Sequence, residues 1–172
     1  MGQFTGALAG LITAFVITFL ILTFGLLIPT DIIRSVIVED FLSRVDLELK
    51  LAIVSTVLYP TSLTAGVNLS TYVGYGADVG TVLTYLAWGA GGLVAGLLTR
   101  NVAQGVMAAI FAVIIGAFLS WLLVFFLVTT DYMAIVGGAS MLILQVVLES
   151  SVFPCIAAVI GGLLGAGITR ER

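Results

Sequence analysis

The sequence predicts an all-α integral membrane protein: four transmembrane helices forming two duplicated hairpins of like orientation, plus an amphipathic extracytoplasmic helix. Three observations predict it. Of 172 residues, 61% are hydrophobic and 9% charged, with a mean hydropathy of +1.28. An average soluble domain carries about 25% charged residues, which help to cover its surface. The apolar excess falls in four uncharged runs, and a ten-residue sequence closing the second run recurs at the end of the fourth.

A hydrocarbon core about 30 Å thick takes roughly 17–25 apolar residues in a helix. Span one is expected over residues 5–28, closed by Pro29-Thr30-Asp31. It lacks the basic start and short apolar core of a cleaved signal peptide, and Gly6 stands where a myristoylation signal needs Ser or Thr. An outer loop follows over 29–80. Within it, residues 31–51 place Ile33, Ile37, Phe41, Val45 and Leu49 at every fourth position, with Arg34, Asp40, Arg44, Asp46 and Lys50 elsewhere. That spacing predicts an amphipathic helix lying on the outer surface or against a partner. Ala52–Leu58 is apolar and β-branched and ends at Tyr59-Pro60; Val67–Gly80, with Tyr72 and Tyr75, reads as a loop with interfacial aromatics.

Spans two and three are expected over residues 81–98 and 105–128. Met133–Ile168 as one helix would be roughly 54 Å long, too long for a bilayer. Glu149-Ser150-Ser151 followed by Pro154 has the character of a helix start, polar caps before a proline tolerated in the first turn. The segment therefore divides into a short outer helix over about 139–149 and span four over 152–168. One helix kinked at Pro154 is the alternative.

With four spans, both termini and the Arg100 turn share one side. Three basic residues fall on each side, but Arg100, Arg170 and Arg172 sit directly at helix ends, whereas Arg34, Arg44 and Lys50 are spread through the long loop. The positive-inside rule weighs residues close to the membrane, so both termini are expected in the cytoplasm. Asn68-Leu69-Ser70, a possible glycosylation sequon, falls outside.

Gly91–Arg100 and Gly161–Arg170 agree at five of ten positions, and most of the rest exchange small for small or apolar for apolar. Spans one and three also correspond, ending in Pro-Thr-Asp and Thr-Thr-Asp, which points to an internal duplication. Every span carries small residues at helical spacing, including Gly6 and Gly10, Gly91, Gly92 and Gly96, Ala112 and Gly116, and Gly161 and Gly165. Such stripes let helices approach closely in lipid, where burying apolar surface supplies no driving force. The Gly-Gly-Leu-x-Ala-Gly hairpin resembles one recurring in small prokaryotic four-helix membrane proteins, a resemblance over about thirty residues that implies no activity.

The chemistry is sparse. The chain has no histidine and a single cysteine, Cys155, which removes imidazole metal sites, thiolate clusters and an intrachain disulfide. No cofactor or metal site is expected. A net charge of −3 without a basic cluster argues against nucleic acid. No span centre carries a charge, which weighs against an ion-driven pump. The leading expectation is a non-enzymatic structural or accessory subunit of a larger cell-membrane assembly, its partners being lipid and other subunits or copies of itself. The alternative is a small homo-oligomeric channel or transporter for a neutral solute, lined by Thr13, Thr18, Thr23 and backbone.

Overall fold

The computed structural model describes residues 2–27, 35–59, 82–128 and 140–169. Every regular element among them is helical: α1 (Gln3–Thr23), a 3₁₀ turn (Gly25–Leu27), α2 (Ser35–Ser43), α3 (Leu47–Leu58), α4 (Val82–Thr99), α5 (Val102–Val128), α6 (Ser140–Ser150) and α7 (Val152–Thr169). Four helical segments are long and apolar enough to cross a membrane: Gln3–Thr23, Val82–Thr99, Val102–Leu123 and Val147–Thr169. The sequon at Asn68 and the terminal arginines Arg170 and Arg172 lie outside the described residues.

Bulky side chains such as Ile12, Phe111, Phe118, Ile160 and Leu164 point outward, alanines and glycines fill the seams between the long helices, and larger side chains including Leu22, Phe41, Ile53, Tyr59 and Trp88 make up the rest of the core. α4 and α5 occupy the middle, each packed against both α1 and α7. α1 and α4 run antiparallel with Gly10 opposite Gly91: a Cβ on Gly10 would lie 2.7 Å from the Gly91 carbonyl oxygen, and one on Gly91 2.6 Å from that of Gly10. α4 turns into α5 over Arg100-Asn101. Arg100 takes φ 56°, and the Asn101 side-chain oxygen accepts from the amides of Ala103 (3.0 Å) and Gln104 (3.4 Å), capping α5.

The tightest seam joins α4 and α7, which run parallel. Gly92 faces the backbone of Ala158, Gly96 that of Gly162 and Ala166, Gly161 that of Gly89 and Leu93, and Gly165 that of Leu93 and Leu97. A methyl group at any of the four would land on main-chain atoms that no rotamer change can move. Gly6 packs against Thr99, Ala95 and Ala108, and Ala112 is buried in the core. The small-residue stripes are thus engaged with one another inside a single chain.

Two local readings differ from the structure. Residues 31–51, expected as one surface helix, hold two helices separated at Arg44–Asp46. α2 packs Ile37, Val38 and Phe41 onto the end of α1, with Phe41 edge-on to Phe19 at 5.2 Å. α3 turns inward instead of continuing along the surface. The serines before α7 do not cap it either. Ser150 and Ser151 donate backward to the carbonyls of Val147 (2.9 Å) and Leu148 (2.6 Å), closing α6. A cap at Ser151 would bond the amide two or three residues on, and the third residue is Pro154, which has none. Backbone bonds from Ser151 to Val147 (3.1 Å) and from Cys155 to Ser151 (2.9 Å) carry the chain almost continuously from α6 into α7.

Candidate functional site

α3 begins polar and ends apolar. Glu48 and Lys50 occupy its outer turns, Lys50 lying over the Phe41 ring at 5.2 Å. From Ala52 the helix carries no charge, and every residue from Ala52 to Tyr59 is buried. The helix enters between α1, α4 and α5. Its far end reaches the middle of the bundle: the Tyr59 hydroxyl donates to the Val113 carbonyl at 2.8 Å, near the midpoint of α5. Twelve residues are too few to cross a bilayer, and a helix ending at that depth must satisfy its last carbonyls without water.

α4 supplies the donors. Thr84 Oγ1 donates to the Val57 carbonyl at 2.6 Å, and the Trp88 indole Nε1 donates to that of Leu58 at 3.3 Å. The Tyr59 amide closes onto Ser55 O at 3.0 Å. Tyr59 and Trp88, both fully buried, meet edge to face at 5.6 Å. Gly116 makes room for the tyrosine hydroxyl, since a Cβ there would lie 2.5 Å from it, 2.8 Å from Leu11 Cδ1 and 3.0 Å from Trp88 Cη2. Ser55 and Thr56 on α3, Thr18 on α1 and Ser120 on α5 are buried hydroxyls in the surrounding interior.

Among the described residues this interior is neutral and hydroxyl-rich, suited to hydrogen-bonding an uncharged oxygen or nitrogen. Among the described residues, no three His, Cys, Asp or Glu side chains gather as a metal site would need. The threonines of α1 do not form a lining. Thr13, Thr18 and Thr23 are five residues apart and so on different faces; they are half-buried, buried and exposed in turn. Each donates to the carbonyl four residues back, at 2.7, 2.9 and 2.8 Å. Glu149 accepts from Gln145 at 2.8 Å on α6.

The residues that build the interior site, Tyr59, Thr84, Trp88, Ser55 and Ser120, were not singled out by the sequence reading. One signal could have found them. The largely apolar stretch Leu51–Tyr59, too short to span, reads as a buried or re-entrant helix as readily as a loop.

Fold and site together define a multi-pass helical protein with a short helix inserted part-way into its bundle. No family model, curated protein sequence or solved structure matches the chain.

Proposed function

We propose that the protein is a small membrane channel or carrier for a neutral polar solute. The observation supporting this reading is the buried end of α3. A helix that stops at mid-bundle and presents its carbonyl end to hydroxyl and indole donors belongs to the irregular membrane architecture found where solutes are bound. The spans and the inserted half of α3 carry no formal charge, so the cargo is neutral. Packing of the small-residue stripes within one chain removes the main reason to require a partner. The test is osmotic swelling of proteoliposomes in gradients of urea and of glycerol. Swelling faster than in protein-free vesicles, and changed by Gly116→Leu beside Tyr59, is expected; rates equal to empty vesicles for both solutes overturn the reading.

A second reading, an accessory subunit of a larger assembly, has one specific observation in its favour. The outer face of the α4–α7 seam forms an apolar groove of about 440 Å³ between Tyr85, Leu86, Leu93 and Leu164. Its floor includes Gly89, where a Cβ would meet open space. If a partner helix lies there, Gly89→Trp would dissociate a native complex seen by size in mild detergent, whereas an unchanged size argues against it.

The proposed architecture is two hairpins from one duplication, both termini cytoplasmic. The parallel contacts between α4 and α7 join residue i to residues i+66 to i+72 (Gly92 to Ala158, Gly89 to Gly161). That range brackets the separation of 70 between Gly91 and Gly161 in the repeated sequence. In a Cys155→Ser background, cysteines replacing Ser70 and Arg172 test the orientation. Impermeant thiol reagent on intact cells is expected to reach only position 70, and labelling only at 172 would reverse it.

A further inference from the structure

The described buried hydroxyls divide into two groups. Thr18, Thr56, Tyr59, Thr84, Thr99 and Ser150 each donate to a carbonyl. Ser55 Oγ and Ser120 Oγ, both fully buried, have no hydrogen-bond partner among the described residues. Helix register places these two at the same level of the bundle. α1 and α5 run parallel, Gly6 against Ala108 and Leu11 against Gly116. α2 packs at Phe19 of α1, whereas the end of α3 stands at the level of Leu11, where Tyr59, Leu11 and Trp88 meet around Gly116. The chain therefore descends through α3 antiparallel to α1 and α5. Ser55 is four residues before Tyr59, whose amide closes the last turn of α3 onto it, and Ser120 is four residues after Gly116 on α5, so each lies one turn, about 6 Å, up from the Tyr59–Gly116 contact.

A serine hydroxyl both donates and accepts, and two such groups at one level can hold a third oxygen of the same dual character. No charge on α1, α3 from Leu51 onward, α4 or α5 supplies a counter-ion, so the guest is uncharged. We propose that Ser55 and Ser120 form a binding position for a neutral hydrogen-bonding oxygen, either water or a hydroxyl of a small polyol. As a water site the position is independent of the transport reading; as a polyol site it rests on that reading. The oxygen would tie α3 to α5 one turn above the Tyr59 bond.

The test is the sign of the stability change on removing each hydroxyl. A buried hydroxyl that nothing satisfies is a burden, so Ser→Ala would be neutral or stabilising; one that holds an oxygen loses a bonded network. Thermal unfolding of the purified protein is compared for wild type, Ser55→Ala, Ser120→Ala and the double variant. Each single change is expected to lower the Tm by a few degrees, with the second adding little once the first is made. Unchanged or raised Tm values in both singles, or fully additive losses, overturn the proposal. Glycerol distinguishes the two sources: extra Tm gain in wild type relative to the double variant assigns a polyol hydroxyl, and equal gain assigns water. A coupled loss without solute flux in liposomes supports the water site and removes only the transport reading.

Discussion

The Tyr59 hydroxyl occupies the space that a side chain at Gly116 would fill, and it is held there by the Val113 carbonyl at 2.8 Å. Sequence positions 57 and 54 residues apart are thereby fixed to one another at the centre of the bundle. Gly116→Ala should push the hydroxyl off its acceptor and cost about 1–3 kcal/mol, as overpacking in a filled core does. Tyr59→Phe removes the atom in the way. The loss from Gly116→Ala should therefore be smaller in the Tyr59→Phe background, a coupling that a double-mutant cycle of thermal stability measures. Equal losses in both backgrounds would mean the two residues do not meet.

Thr84→Val keeps the shape of the side chain and removes the donor to the Val57 carbonyl. A buried acceptor left unsatisfied costs about 1–3 kcal/mol, so the variant should unfold at lower temperature. Thr23→Val is the matched control, because its hydroxyl is exposed and bonds only within α1; it should change stability little.

The glycines of the α4–α7 seam should respond with opposite sign to a glycine facing outward. Gly92→Ala and Gly161→Ala place a methyl group on the partner's main chain and should each destabilise by about 2 kcal/mol or more. Gly167→Ala meets nothing within 4 Å and should stabilise by about 0.5–1 kcal/mol through helix propensity alone. Melting curves in one detergent decide it. Losses of similar size at all three positions would make the seam no tighter than the lipid face.

Arg100 holds φ 56° in the α4–α5 turn, a conformation costing a non-glycine residue about 1–2 kcal/mol. Arg100→Gly should accordingly be more stable than Arg100→Ala, since both lose the guanidinium and only the glycine relieves the backbone. Equal melting temperatures would place the turn outside the left-handed region.

The four long helices were legible because lipid imposes length and apolarity on a contiguous run, and Gly-Gly-Leu at spans two and four marked where backbones could meet. Local pattern did not reveal that α3 inserts. Ile33 to Leu49 has the period of a surface helix, and what turns the chain inward is tertiary: Phe41 seated on Phe19, and Thr84 and Trp88 waiting for the carbonyls of Val57 and Leu58. Those two donors sit among apolar neighbours 27 and 30 residues further along the chain, a separation that periodicity does not see. The serines at 150 and 151 misled for a similar reason. Their spacing suits a cap, but both hydroxyls donate back to α6, and Pro154 lacks one of the two amides a cap at Ser151 could bond.

The central claim is that α3 leaves the surface and ends inside the bundle. Single cysteines stepped from Val45 to Leu58 in the Cys155→Ser protein, reacted with an impermeant maleimide in reconstituted membranes, test it most directly. Val45 and Leu47 are 93% and 61% exposed, while Ala52 to Leu58 are at most 1% exposed. Labelling is therefore expected at positions 45 to 48 and at none from 52 to 58. Labelling that persists to position 58 with the period of a helix lying on the surface would contradict the account.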